Sequence, residues 1–395
     1  MKLALIGANS ASLELLASAT SCQLVSYVEA GEYREDILKL FPQAKSETSW
    51  EGLLASPDID AVIIAEKTTT DVSEDRLRKF VQEAVPVVLI HPACEFIFGL
   101  EMEMIRRDTD CKMITHVPYR HHSLLQRVRG WVTANEESPI GTIEQILFRR
   151  KMSERDQESV LEVFSHDAEL LRYLLDGVTK ITATGPEFDA DNYHQLVVQL
   201  SGKNQLNASW SYVSDQNFSA TVEFIGTQGT AELLLEPNGT ITLSRSNSEQ
   251  SETITENEAE YTLKLLEDAI QQRDDVTVEP AWDSIAHTLE IVDTVQYSLK
   301  RTRTIELRQE ELSEQSTFKG MMAAGGCFLM LWSIFILFLA AFASMFDDFP
   351  LAMRINNYWP LALVTPLIIF LALQSLQLVF PRVESSDGTP DNQVK

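Results

Sequence analysis

Short apolar runs recur along the first third of the chain, at residues 3–6, 24–28, 61–65 and 87–90. Because they are nearly continuous rather than alternating, they predict strands buried on both faces, as in a parallel sheet covered by helices. Segments of helical character lie between them, at 12–17, 33–41, 50–55 and 73–83. Residues 1–117 are therefore expected to form a doubly wound, Rossmann-type α/β domain, whose ligands bind at the C-terminal ends of the strands.

Beyond residue 117 the pattern changes. Helices are expected at 123–133 and 160–175, and alternating apolar and polar positions predict strands near 142–149, 194–200, 205–212, 220–225, 231–235 and 240–243. Turn signals separate them, among them Ser201-Gly202-Lys203-Asn204 and Pro237-Asn238-Gly239. Strict alternation implies one wet face and one covered face, so residues 118–312 read as an α+β domain with a mainly antiparallel sheet. The acidic, serine-rich stretch 244–260 reads as a mobile loop, and helices at 261–272 and 282–300 close the domain.

The C-terminal pattern is different again. Residues 320–346 and 358–380 carry no charge, and ~20 apolar residues suffice to cross ~30 Å of hydrocarbon. The expectation is a hairpin of transmembrane helices at 318–346 and 358–380, joined by an external loop at 347–357 and followed by a polar cytoplasmic tail at 381–395. Lys300, Arg301, Arg303, Arg308 and Lys319 precede the uncharged run that starts at Gly320, whereas the loop offers only Arg354. The bias in basic residues places the globular domains and both termini on the cytoplasmic side of the cell membrane. No Asp, Glu, Lys, Arg or His sits mid-membrane, so transport has no visible machinery. Anchoring in membrane lipid, or pairing with another membrane protein, is what the hairpin implies.

Composition narrows the partners. The formal net charge of -26 and the lack of any Lys/Arg-rich run exclude nucleic acid. Cys22, Cys94, Cys111 and Cys327 are widely spaced, which fits neither structural zinc nor a disulfide framework and points to a reducing compartment. The opening apolar run is broken at Asn9 and Ser10, short of the ~7–15 residues of a secretory h-region, so it is expected to be a first strand.

That strand ends in Gly7-Ala8-Asn9-Ser10-Ala11-Ser12, where a dinucleotide-binding fold carries Gly-x-Gly-x-x-Gly. Gly7 permits the tight turn and the helix starting near Ser10 attracts anions, but Asn9 puts a side chain where a pyrophosphate needs close backbone approach. Glu29, at the end of the second strand, suits a ribose hydroxyl. A nucleotide site and an ordinary strand-turn-helix junction both fit these residues.

Longer matches bear on the choice. Leu54-Ala55-Ser56-Pro57-Asp58-Ile59-Asp60-Ala61-Val62-Ile63-Ile64-Ala65, Ile140-Gly141-Thr142-Ile143, Ser165-His166-Asp167-Ala168-Glu169-Leu170-Leu171-Arg172-Tyr173-Leu174 and Thr302-Arg303-Thr304-Ile305-Glu306-Leu307 occur in this order. In this respect the globular part resembles the Gfo/Idh/MocA oxidoreductases, the family of glucose-fructose oxidoreductase and inositol dehydrogenase. The resemblance implies NAD or NADP across the first sheet and a sugar or polyol-like substrate against the second. The family's Glu-Lys-Pro tripeptide, whose lysine contacts nicotinamide and substrate, is matched here by Ile90-His91-Pro92. Its aspartate and histidine, four residues apart on one helix, are matched by Glu162 and His166.

The resemblance thus assigns His166 as a base oriented by Glu162, with His91 as a weaker stand-in for lysine. His121 and His122 fall near the domain junction, while His116, His194 and His287 have no partner that the sequence names. Two functions follow: a membrane-anchored NAD(P)-dependent oxidoreductase, or a catalytically impaired descendant serving as a tethered ligand-binding or scaffold module. A homo-oligomer is compatible with either. The topology has a direct check: a thiol label at Asn356→Cys should react from outside the cell and one at Asp391→Cys should not, and the reverse would overturn the orientation.

Overall fold

The computed structural model describes residues 1–18, 22–133, 138–187, 190, 192–193, 195–203, 205–271, 281–307, 314–343 and 358–368. They belong to two compact units, Met1–Arg308 and Gln309–Lys395.

In the first unit the apolar runs become a parallel sheet of β1 (Lys2–Ile6), β2 (Gln23–Val28), β3 (Lys45–Ser46), β4 (Ala61–Ile64), β5 (Val87–Ile90) and β6 (Met113–His116). The strand order is β3-β2-β1-β4-β5-β6, and every residue of β4, β5 and β6 is buried. The order reverses between β1 and β4, which opens a crevice at the strand C-termini. Helices α1 (Ser10–Ala17), α2 (Arg34–Leu40), α3 (Glu51–Leu54), α4 (Asp71–Gln82) and α5 (Phe96–Thr109) supply the crossovers.

Two of these elements escape the apolar pattern. In α5 the buried Glu103 carboxylate is held by Arg106 and Arg107, at 2.8 and 2.6 Å, so charge sits on an inner face. In β6 the buried Thr115 and His116 are polar, and their burial depends on a helix more than a hundred residues away.

The second sheet runs from β7 (Ile143–Met152) through β8 (Val178–Thr184), β9 (Val197–Gly202), β10 (Asn207–Ser214), β11 (Ser219–Gly226), β12 (Gly229–Leu235), β13 (Thr240–Arg245) and β14 (Ser248–Thr255) to β15 (Ile305–Glu306). Its spatial order is β14-β13-β12-β11-β7-β10-β9-β8-β15, mixed because β7 and β10 pair in parallel while the other neighbours are antiparallel. Alternation is clear in β11, where Ala220, Val222 and Phe224 are buried and the residues between them are not. The expected mobile loop at 244–260 is corrected: it holds β14 and the start of a helix. Edge position explains this, because an edge strand tolerates polar side chains. Thr240 bonds Thr255 at 2.7 Å and Thr242 bonds Thr253 at 3.0 Å across the pair.

Helices α6 (Ser123–Thr133) and α7 (Gln157–Leu174) cover this sheet, with Phe164, Ala168 and Leu171 buried in one cluster with Phe148, Trp210 and Phe224. The last two helices of the unit return to the first sheet. Helix α8 (Glu258–Ile270) buries Leu263 and Leu266 beside Leu3, Leu5 and Val88, and α9 (Trp282–Arg301) buries Trp282 and Leu289 beside Val62 and Leu89. Residues past 257 thus complete the core that the first 117 begin.

The second unit contains α10 (Glu314–Ala343) and helical residues 358–368, with the Trp332 indole donating to the Ala362 carbonyl at 3.1 Å. Among the described residues no helix is long and apolar enough to cross a membrane, so the expected two-span hairpin is not supported. The whole of the expected loop at 347–357, residues 344–346 of the first span and the second span beyond residue 368 lie outside the described residues.

One buried network ties α7 to both ends of the unit. Glu169, fully buried, accepts from Arg120 (2.8 Å), from Arg172 (2.9 and 3.1 Å) and from Thr288 of α9. Removing the acid would leave the buried Arg120 and the largely buried Arg172 without their carboxylate. A fragment ending at Ser316 is expected to unfold cooperatively in urea, and Glu169→Ala in that fragment should lower its stability by about 3–5 kcal/mol; a loss below about 1 kcal/mol would contradict the role assigned to Glu169.

Candidate functional site

The crevice between β1 and β4 starts at Gly7. Its φ of +68° is left-handed, and an added Cβ would lie 3.0 Å from the Glu66 Cβ, so turn and close approach both demand glycine here. Asn9 caps α1: its Oδ1 accepts from the Ser12 N–H at 2.8 Å, and Ser12 Oγ accepts from the Asn9 N–H at 3.0 Å. The Asn9 amide also donates to the Ala65 carbonyl at 2.7 Å, pinning α1 to the end of β4. Of the first-turn amides, the capping box consumes that of Ser12 and leaves those of Ser10 and Ala11 for an outside acceptor.

Glu29 ends β2 with a φ of +55°. Arg76 of α4 grips its carboxylate with two bonds of 3.1 Å and also bonds Glu66. The guanidinium is buried, whereas the Glu29 side chain keeps 55% exposure. Burial raises the Glu66 carboxyl above its ordinary range even though Arg76 opposes the shift.

Beyond Ser10 the crevice opens into a cavity of about 680 Å³, bounded by the first turn of α1, the end of β6, β7, α7 and the start of α8. Its size suits a small ligand, for which pockets run ~300–1,000 Å³. Both Glu162 and His166 line it, one turn apart on α7. Glu162 is exposed and His166 partly buried, and no hydrogen bond joins the two side chains. His91 lies outside the cavity lining. It is buried behind His166, the rings 5.3 Å apart and edge to face, and its Nε2 is 3.2 Å from the Ser165 carbonyl.

All three imidazoles of this corner are held neutral. Burial pushes His166 well below its usual pKa of 6.5, and the nearby His91, Arg150 and His116 push in the same direction. His91 is likewise lowered by burial. His116, whose Nδ1 bonds the Thr262 hydroxyl at 2.9 Å, is lowered to about 4 by burial. A neutral imidazole can accept a proton but adds no positive charge. On the cavity floor the one guanidinium, Arg150, is paired in bidentate fashion to buried Asp167, which also accepts from the Trp210 indole at 2.8 Å.

The residue that the sequence pattern missed is Glu258, the first of α8. Its Oε2 accepts the His121 N–H at 3.1 Å, while Oε1 is buried with no partner. Burial raises its carboxyl to about 7, the His121 N–H opposes the shift, and Glu256 adds to it. With 244–260 read as a loop, nothing marked Glu258; the Asn257-Glu258 pair at a helix start was the available signal. His121 stacks on Tyr261 at 4.1 Å. His122 is structural: its Nδ1 accepts from the Leu124 N–H and its Nε2 reaches the Ile254 carbonyl, both at 3.2 Å. His287 pairs with Glu290 on α9, and His194 lies outside the described residues. Among the described residues no cluster has the makings of a metal site.

No family model matches the chain, and no curated protein matches it either. Solved structures do. The chain is similar to a myo-inositol dehydrogenase from Corynebacterium glutamicum, with 20% identity and a TM-score of 0.59, covering 78% of this chain and 99% of that one. It is similar to an oxidoreductase from Agrobacterium radiobacter solved with NAD+, L-tartaric acid and magnesium, with 16% identity and a TM-score of 0.62, covering 78% and 98%. It is also similar to a biliverdin reductase from Synechocystis solved with biliverdin and NADP+, with 15% identity and a TM-score of 0.60, covering 75% and 98%. At these identities the likeness shows the fold: a Rossmann-type sheet followed by a mixed sheet.

Glu258 offers a thermodynamic check of the site. Its carboxyl is raised in the folded protein from 4.5 to about 7. Below pH about 4.5 the group is protonated in both states and costs nothing; as pH rises toward about 7 the unfolded chain ionises first and the folded state loses stability. Glu258→Gln escapes this loss. Compared at pH 8 and pH 4 by urea unfolding, the variant should gain about 2–3 kcal/mol on the parent between the two conditions, since one pKa unit is ~1.4 kcal/mol; an unchanged difference would mean that Glu258 is solvated.

Proposed function

We propose that the chain is an oxidoreductase of the Gfo/Idh/MocA type, transferring hydride between NAD or NADP and a sugar or polyol-like substrate held in the 680 Å³ cavity. The observation that carries this reading is a juxtaposition. The cavity joins the start of α1, where a dinucleotide phosphate would dock, to His166 on α7. The solved structures with NAD+ and NADP+ lend it the fold.

The residues present fit such a cofactor. The Ser10 and Ala11 amides head α1 beside Gly7, the Asn9 cap holds that turn in place, and the exposed side of Glu29 is open to a ribose hydroxyl. The cofactor would supply the hydride acceptor. Everything else falls to the protein: the β7 and α7 side chains orient the substrate, and His166, neutral and therefore able to accept, takes the hydroxyl proton. Glu162, unbonded to His166 in this state, is placed one turn away to receive a substrate hydroxyl. His91 fills the space behind His166 and keeps its ring in place.

A second reading is favoured by one specific observation. Asn9 and the Glu29–Arg76–Glu66 network satisfy within the chain several groups that a dinucleotide would otherwise engage. A module that binds a small ligand without hydride transfer would show the same network. As for location, α10 exposes Phe328, Leu331, Ile334, Phe335 and Phe338 by at least 54%, and apolar surface of that kind supports a tether to lipid or to a partner helix at the cytoplasmic face of the cell membrane.

Titration calorimetry of the full chain with NAD(H) and NADP(H) separates the two readings: binding below ~1 mM supports the oxidoreductase, and none at several millimolar leaves the binding module. In an active protein His166→Ala should cost ~10²–10⁴-fold in kcat, the usual contribution of an acid-base group, and a rate indifferent to it would remove His166 from the chemistry.

A further inference from the structure

The charge on the cavity wall is one-sided. Glu14, Glu154, Glu162, Glu256 and Glu258 reach it, and the one guanidinium there, Arg150, is already matched by Asp167 in a fully buried pair. His116 and His166 add no positive charge, because burial keeps them neutral. None of the five glutamates forms an ion pair with a described lysine or arginine; the glutamates that do, such as Glu29, Glu103 and Glu169, lie elsewhere.

Two buried polar atoms at this wall also lack hydrogen-bond partners. Glu258 Oε1 is buried without a partner, and so is His166 Nδ1. A buried acceptor left unpaired is unfavourable, so a ligand that brings a donor is rewarded. An anionic ligand would meet like charge, which a concave, low-dielectric site amplifies. A neutral polyol would satisfy the hydrogen bonds but leave the charge standing. An ammonium group satisfies both.

We propose that the cavity selects a ligand bearing a protonated amine beside its hydroxyls, an amino sugar or amino-polyol, whose ammonium donates to Glu258 Oε1. This narrows the substrate class of the function proposed above and rests on that reading for the cavity being the ligand site. Glu258 is suited to the role by position: the His121 N–H holds one carboxylate oxygen, so the other is oriented before the ligand arrives.

Three ligands of one carbon skeleton test the proposal on the full chain in detergent: glucamine (amine), sorbitol (neutral) and gluconate (anion), titrated by calorimetry at pH 7.5 with and without NAD+. Glucamine is expected to bind about tenfold or more tighter than sorbitol, as a charge-assisted hydrogen bond is roughly twice as strong as a neutral one. Gluconate should bind weakest. Glu258→Gln should abolish the preference for glucamine over sorbitol. Should that variant fail to fold, N-acetylglucamine, which keeps the shape and loses the charge, gives the same comparison on the unaltered chain and is expected to bind like sorbitol. Equal or tighter binding of sorbitol, N-acetylglucamine or gluconate overturns the proposal, as does a glucamine preference untouched in a folded Glu258→Gln variant, or no glucamine binding at several millimolar. NAD+ titrated alone in the same preparation reports separately on the oxidoreductase reading: glucamine selectivity without nicotinamide binding would fell that reading and leave this one standing.

Discussion

The Asp167 carboxylate holds the site together. It is fully buried, accepts from both Nε and Nη2 of Arg150 of β7 and from the Trp210 indole N–H of β10, so one acid fixes α7 to two parallel strands of the mixed sheet. Its neighbour in sequence is His166, and two residues on is Glu169, which binds Arg120, Arg172 and the Thr288 hydroxyl of α9. A buried ion pair broken on one side is far more costly than one never made. The rotation of α7 about its axis is therefore set by charge as well as by packing, and with it the faces that Glu162 and His166 turn to the cavity.

Around that anchor the protein keeps positive charge scarce. Four arginines of the interior are spent on carboxylates: Arg150 on Asp167, Arg120 and Arg172 on Glu169, Arg76 on Glu29 and Glu66. The corner histidines stay neutral because burial disfavours their charged form, and an acid, Glu169, opposes this only at His91. The cavity is left with unpaired carboxylates, one of them, Glu258, poised near neutrality. The crevice at β1 and β4 is different in kind, since Asn9 and Arg76 already meet most of its demands. One end of the site is self-satisfied and the other is not, which is why the cavity end says more about the ligand.

Much of this was legible in the chain itself. Unbroken apolar runs marked four central strands of the parallel sheet, since a strand covered on both faces has no polar alternative. Alternation marked β10 to β13 to within a few residues, and Gly7 marked the turn that nothing larger can make. The order of short matches pointed to a fold that the solved structures share. What failed did so for definable reasons: β14 is polar because it is an edge, β6 because a distant helix buries it, and α5 because paired charges hide inside it. The two-span hairpin rested on hydropathy alone, and among the described residues no helix is long and apolar enough to cross a membrane.

The sequence by itself determined which segments are strands and helices in the central cores, the Rossmann-type beginning and the alternating-strand continuation, because these follow from local periodicity; the candidacy of His166 came from the family resemblance. Only the tertiary structure decided that Glu162 and His166 share a wall without a bond, that His91 stands behind it, that Asn9 and Arg76 close the crevice from within, and that Glu258 is a site residue at all. Those outcomes depend on burial and on partners far apart in the chain, Glu29 with Arg76, Asn9 with Ala65, Arg150 with Trp210 through Asp167. Desolvation and ion pairing are properties of the folded surroundings, so no single residue carries them in its name.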